Sequence, residues 1–279
     1  MTWTPQPAWL FCPADRPDRY VKALQRSDIV VLDLEDAVAP GRKRAARDAV
    51  EVLINEGVYD MERTVLRINA ASSPEHAEDV TLLDRAGVGR VMLAKTERLA
   101  DLDHLGDRNV IALIETPLGV ERCEALADAN PVAGLMWGAD DLVAGLGGTS
   151  SRRPDGGYRD VGRYARSRVL IAAKARHLLA IDAVHMDIDD IEGLRAECED
   201  AAAVGFDATV AIHPSQVEVI RRAYAPSPEQ ADWAVRLFAA VGQERGVATF
   251  EGRMVDGPVY AQAERILRWA AASAQGFDE

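Results

Sequence analysis

What most constrains this chain is a recurring pattern of residue types. Short apolar, β-favouring runs return eight times, at residues 9–12, 29–34, 64–68, 90–93, 110–114, 134–137, 181–185 and 208–212. Amphipathic stretches separate them. Residues 41–56 carry Ala45, Ala49, Val52 and Leu53 at helical spacing. Residues 189–204 carry Ile191, Leu194, Cys198 and Ala202, with Asp189 as the expected N-cap and Gly205 as the stop. Pro117 and Pro214 each stand where a helix would begin just after a strand. Strands alternating with helices predict a parallel sheet. Eight such units within residues 9–224 predict an α/β fold, a closed (β/α)8 TIM barrel, which typically takes about 250 residues. The rival is an open doubly wound sheet, which usually carries a Gly-rich fingerprint after its first strand. Here CPADRPDRY follows the first run, and the barrel is the expectation.

The chain is 279 residues long, and the alternation stops near Tyr224. APSPEQ breaks the pattern, then come a helical stretch at 228–242, the segment ERGVATFEGRMVDGP, and a last helical stretch at 259–272. This divides the chain into a catalytic barrel, residues 1–225, and a C-terminal helical extension, residues 226–279. The extension is too small for a good core of its own, and is expected to pack on the barrel and on a neighbouring subunit. GLGGTSSRRPDGG, residues 145–157, reads as a mobile loop.

Charge narrows the partners. With 45 acidic against 32 basic residues the net charge is −13, which argues against nucleic acid or an anionic membrane surface. An anionic ligand would need a local cationic cluster. Three widely spaced cysteines without a CxxC suggest a reduced, cytoplasmic protein. MTWTPQPAW does not read as a signal peptide, and no apolar run approaches the ~20 residues of a membrane span.

In a (β/α)8 barrel, function gathers at the carboxyl ends of the strands. The second run ends in Asp33, Glu35 and Asp36; the third in Arg67 and Asn69; the fourth in Lys95 and Glu97. The fifth ends in Glu115, the sixth in Asp140 and Asp141, the seventh in His185 and Asp187, the eighth in His213. Many carboxylates and few histidines suit a hard cation, Mg²⁺ or Mn²⁺, better than zinc. Glu115 with one of Asp140 and Asp141 would supply the carboxylate pair Mg²⁺ usually takes from protein. Arg67 suits a bidentate grip on a substrate carboxylate. Blander roles compete. Asp33, Asp36 and Asp140 can cap the next helix, and Glu115 can answer a helix dipole. Lys95 can pair with Glu97 or Glu115, and His185 and His213 read better as structural hydrogen-bonders than as bases.

The order of LFCPADRP, VVLDLEDAV, VLRIN, ALIET, MWGADDL, AIHPSQ and FEGRMVDGPV, over residues 10–260, resembles the citrate lyase beta-subunit-like proteins. These are relatives of malyl-CoA and citramalyl-CoA lyases in the phosphoenolpyruvate-binding barrel aldolase superfamily. The resemblance implies Mg²⁺ on Glu115 and Asp141, and Arg67 on the keto-acid carboxylate; Lys95, at its strand end, is a further substrate-binding candidate. Glu35 and Asp36 would stand beside the metal waters. Asp256 would act from the tail of a neighbouring subunit, which requires an oligomer, a trimer or a hexamer. Arg16, Arg19, Arg152 and Arg153 become candidates for the CoA phosphates, with the solvated surface as their alternative. One departure is Pro13-Ala14, where many relatives have Pro-Gly.

The expected activity is therefore Mg²⁺-dependent carbon–carbon cleavage or formation of a short 3-hydroxyacyl-CoA. The products would be an acyl-CoA and a 2-oxo acid such as oxaloacetate, pyruvate or glyoxylate. The alternatives are an aldolase acting on free keto acids and a subunit of a larger citrate-lyase-type complex served by an acyl carrier protein.

Overall fold

The computed structural model describes residues 5–242 and 245–275. The start of MTWTPQPAW, Glu244 of the late segment and the last four residues of the extension lie outside them. Eight parallel strands close into a barrel in chain order: β1 (Ala8–Pro13), β2 (Ile29–Asp33), β3 (Thr64–Ile68), β4 (Arg90–Leu93), β5 (Asn109–Ile114), β6 (Val132–Trp137), β7 (Leu179–Asp182) and β8 (Ala208–Ala211). β1 pairs with both β2 and β8, and the ring is complete. The helices between them are α1 (Pro17–Arg26), α2 (Lys43–Asn55), α3 (His76–Ala86), α4 (Pro117–Ala127), α5 (Ala139–Gly145), α6 (Asp160–Lys174) and α7 (Ile191–Val204), and α8 (Pro214–Tyr224) follows β8. The fold is a (β/α)8 TIM barrel with further helices at the C-terminus. No helix among the described residues is long and apolar enough to cross a membrane.

The strands read as continuous apolar runs because both faces are covered. All five residues of β2 and of β3 are buried. The interior core joins Trp9, Ile29, Val31, Val65, Met92, Ile111, Leu113, Met136, Ile181, Ala208 and Val210. Successive side chains alternate faces, so the next inward positions after Val31, Val65 and Leu113 are Asp33, Arg67 and Glu115. The hydrophobic plug and the polar mouth above it are one pattern continued.

Local signals set the helix starts. Thr116 caps α4, its hydroxyl accepting from the Gly119 N–H at 3.0 Å, with Pro117 in the first turn. Asp190, rather than Asp189, caps α7, accepting from the Gly193 N–H at 2.9 Å. The helix starts at Ile191, one residue later than the pattern suggests, after an Asx turn in which Asp187 Oδ1 accepts the Asp189 N–H at 3.1 Å. Gly205 ends α7 in the left-handed region at φ 112°. The seventh strand stops at Asp182, three residues before the expected end. The Asp182 side chain takes hydrogen bonds from Ala183 N, Trp137 Nε1 and Arg166, and the ladder goes no further.

The 145–157 segment is tied down. Arg152 and Tyr158 form an antiparallel bridge, the Arg153 N–H donates to Gly157 O at 2.8 Å, and Tyr158 stacks edge-on against Trp137 at 5.0 Å.

The chain divides into the barrel unit, Gln6–Ile220, and a C-terminal unit from Arg221 onward. In the latter, α9 (Pro228–Val241) opens with a capping box between Ser227 and Gln230. An antiparallel hairpin of β9 (Ala248–Phe250) and β10 (Arg253–Val255) leads into α10 (Gly257–Gln275). Ala234, Leu237, Val255, Tyr260 and Ala263 form this unit's core.

Met92 is fully buried in the middle of the barrel plug. Met92→Ala should lower unfolding free energy by about 2–5 kcal/mol, read from the urea midpoint at unchanged slope.

Candidate active site

Asp33 closes β2 fully buried, directly opposite Arg67 on β3 in the ladder. Arg67 Nε donates to Asp33 Oδ1 at 2.7 Å and Nη2 to Oδ2 at 2.6 Å. The same two oxygens accept the Glu35 and Ala37 N–H groups at 2.8 and 2.9 Å. Asp33 thus orients the arginine and holds the turn that follows. The Arg67 guanidinium also lies 4.6 Å above the Phe11 ring. Of its five N–H groups, two go to Asp33, and Nη1 is 3.2 Å from Glu35 Oε2. Two remain for a ligand.

Sequence reasoning missed the support behind this turn. The Lys43 ammonium, buried in the first turn of α2, donates to Leu34 O and Glu35 O at 2.7 Å each and to Asn69 Oδ1 at 2.9 Å. Asn69 is held by Asp79 Oδ2 through its backbone and side-chain amides, at 2.9 and 2.6 Å. Arg47 neutralises Asp79 at 2.9 Å. The available signal was a lysine seven to ten residues past the carboxylates, on a helix whose pattern made it look solvated.

Glu115 follows β5, only 3% exposed. Its Oε1 accepts the Lys95 N–H at 3.0 Å. Lys95 adopts φ 50°, a left-handed conformation that costs a non-glycine residue about 1–2 kcal/mol. Gly138 leaves room on the other side. A Cβ there would stand 2.8 Å from Glu115 Cβ and 2.9 Å from Oε2. Burial, reinforced by the charge of Asp141, pushes the Glu115 carboxyl up to about 8, against the pull of Arg67 and Lys95. Burial also raises Glu35, partly offset by the same two cations.

Lys95 pairs with neither Glu97 nor, through its ammonium, with Glu115. Its Nζ is hydrogen-bonded to Glu35, 3.1 Å from Asp36 and 3.5 Å from Asp141. Asp140, the other acid of that segment, accepts from the Ser151 hydroxyl at 2.6 Å. A cavity of about 140 Å³ opens here, lined by Arg67, Glu115, Asp140 and Asp141 above Phe11, Leu113, Met136 and Val184. The fold thus brings Glu35, Asp36, Arg67, Lys95, Glu115 and Asp141 together.

Other expected residues lie elsewhere or are occupied. Arg152 is committed to Glu197, to Tyr158 Oη at 2.9 Å and to Gly156 O at 2.9 Å. Arg153 pairs with Asp160 at 2.9 Å and Arg16 with Asp18 at 3.0 Å. Arg19 is exposed, with no ion pair among the described residues. His185 Nδ1 meets Glu197 at 2.9 Å and His213 Nδ1 meets Ser215 Oγ at 2.8 Å, both holding local structure. Asp256 sits in the C-terminal unit, where its carbonyl accepts the Tyr260 N–H at 3.0 Å in the first turn of α10.

The donor set fits a hard divalent cation. Glu115 and Asp141 offer carboxylate oxygens on one cavity wall, Gly138 leaves space beside the Glu115 carboxylate, and the Lys95 ammonium rests against Asp141. Among the described residues no three His, Cys, Asp or Glu form a full metal cage, so water and substrate would complete the shell.

Comparison with known proteins decides the family. The model of the HpcH/HpaI aldolase/citrate lyase family matches residues 8–214. The chain belongs to this family. It is 53% identical, over 264 residues and 95% of each chain, to a citrate lyase subunit beta-like protein of Mycobacterium tuberculosis. It is 30% identical over 301 residues to the mitochondrial citramalyl-CoA lyase of Rattus norvegicus, covering 97% of this chain and 87% of that one. The solved structure of Mycobacterium tuberculosis CitE with magnesium, acetoacetate and coenzyme A matches with a TM-score of 0.90 at 53% identity, over 96% of this chain and 98% of that one. Further complexes from that organism hold magnesium with pyruvate or with oxaloacetate.

The raised Glu115 carboxyl sets a pH dependence. Below about 8 the carboxyl holds a proton, which a cation bound by Glu115 would have to expel. Mg²⁺ affinity should therefore rise by about tenfold per pH unit between pH 6 and 8 and level off above. Calorimetry in buffers of different ionisation enthalpy should find about one proton released per ion at pH 6.5 and nearly none at pH 9.

Proposed function

We propose that this chain is a Mg²⁺-dependent carbon–carbon lyase acting on a short 3-hydroxyacyl-CoA of the malyl or citramalyl type. It would cleave that thioester to an acyl-CoA and a 2-oxo acid, or run the reverse condensation. The observation that carries this reading is the shared cavity wall of Glu115 and Asp141, facing an arginine locked in place by Asp33. The magnesium-bound relatives and the citramalyl-CoA lyase relative support the same reaction class.

Glu115 and Asp141 would hold the ion. When bound, it supplies Lewis-acid stabilisation of the negative charge that grows on the substrate's hydroxyl oxygen. The two free N–H groups of Arg67 take the substrate carboxylate, and the Phe11–Asp33 setting keeps the guanidinium from turning. The apolar floor of Phe11, Leu113, Met136 and Val184 receives the small substituent and excludes water. Glu35 accepts the hydroxyl proton, directly or through water. The bond between the carbinol carbon and the thioester α-carbon then breaks, leaving a 2-oxo acid and a thioester enolate. Asp256, delivered by a neighbouring subunit, adds a proton to that enolate to give the acyl-CoA. In condensation Asp256 removes it.

A carboxylate in this role is worth about 10²–10⁴ in rate. Asp256→Ala should lose that much kcat while Mg²⁺ and pyruvate still bind normally by calorimetry. Near-normal turnover would remove Asp256 from the mechanism.

One observation favours the second reading, an aldolase on free keto acids. Three of the four arginines suited to CoA phosphates are held in ion pairs, leaving Arg19. Arg19→Ala should raise KM for acetyl-CoA several-fold and leave the pyruvate Kd unchanged. Turnover of free hydroxy acids without any thioester would establish the second reading instead.

A further inference from the structure

Lys95 grips both carboxylates assigned to the ion, with two different atoms. Its backbone N–H donates to Glu115 Oε1 at 3.0 Å, and its ammonium lies 3.5 Å from Asp141 Oδ1. The ammonium is also bonded to Glu35 and sits 3.1 Å from Asp36. The left-handed backbone at φ 50° lets one residue serve both ligands. Four carboxylates surround this position, and the other guanidinium or ammonium paired with their side chains among the described residues, Arg67, is fixed by the bidentate contact with Asp33. Without a counter-charge the four would repel one another. Lysine differs from arginine here. Its ammonium is a compact charge on a flexible stem, about a third exposed, so it can withdraw from one carboxylate without leaving the others.

We propose that the Lys95 ammonium is a built-in counter-cation that competes with the divalent ion for Asp141. It holds the ligands in register in the metal-free protein and retreats onto Glu35 and Asp36 as the ion enters. Lys95 is on this view a positioning residue that sets how tightly the ion is held. The inference rests on the assignment of the ion to Glu115 and Asp141.

The test is calorimetric titration of MgCl₂ into the full chain, with no CoA and no keto acid, for wild type, Lys95→Met, Lys95→Gly, Lys95→Arg and Glu115→Gln. Removing a positive charge a few ångströms from the ion should tighten binding about tenfold or more in Lys95→Met and Lys95→Gly. Lys95→Arg, which keeps the charge, should bind Mg²⁺ no more tightly than wild type. Lys95→Gly guards against misfolding, because glycine accepts positive φ without strain. Unchanged or weaker Mg²⁺ binding in both neutral variants would overturn the proposal, as would Lys95→Arg behaving like Lys95→Met. Glu115→Gln separates the two levels. If it abolishes binding while the neutral lysine variants do not tighten it, only the competition fails. If it binds Mg²⁺ like wild type, the metal assignment fails, and the competition with it.

Discussion

Inside the barrel mouth, Asp33 and Arg67 are taken out of water together, each useful only because the other is present. A buried carboxylate or guanidinium left alone would cost several kcal/mol, so neither side chain could stay there unpaired. The parallel register places them opposite one another, and the two-point contact spends the Nε edge of the arginine on Asp33. Beyond the Nη1 contact with Glu35, two N–H groups are left for the cavity that Arg67 lines. Because the Asp33 oxygens also hold the N–H groups of Glu35 and Ala37, the pair fixes the β2 exit turn as well as the arginine. Lys43, Asn69 and Asp79 then secure that turn from behind, through contacts to the Leu34 and Glu35 carbonyls.

Around this anchor the site gathers charge that the rest of the molecule would reject. A net charge of −13 discourages an anionic substrate, yet Arg67 and Lys95 both stand within the mouth. The carboxylates beside them remain crowded. Glu115 responds by holding its proton to about pH 8, and Lys95 accepts an unfavourable backbone conformation to reach it. Strain and shifted protonation gathered at one cavity mark it as a functional site.

The architecture was legible because it depends on periodicity and punctuation, which are local properties. Eight apolar runs, Pro117, Pro214 and Gly205 fall where the barrel needs them. The carboxylates at the strand ends were legible for the same reason, since a polar residue ending an apolar strand is visible without knowing its neighbours. Asp189 shows the limit of local reading: the cap was placed one position early, because three aspartates in a row of four leave the helix start to the backbone path. The 145–157 segment shows another. Its glycines, serines and arginines look solvated, but Arg152 is drawn onto Tyr158 and Glu197, which lies 45 residues away.

By itself, the sequence determined the barrel, its polar rim and the acid-rich character of that rim, because alternation along each strand decides which residues face inward. Only the tertiary structure decided which charges are partners. It assigned Asp33 to Arg67, gave the Lys95 ammonium to Glu35, Asp36 and Asp141, and buried Lys43 behind the site. The reason is physical. Pairing energies depend on distance and on the water removed, and residues tens of positions apart acquire both only when the barrel closes.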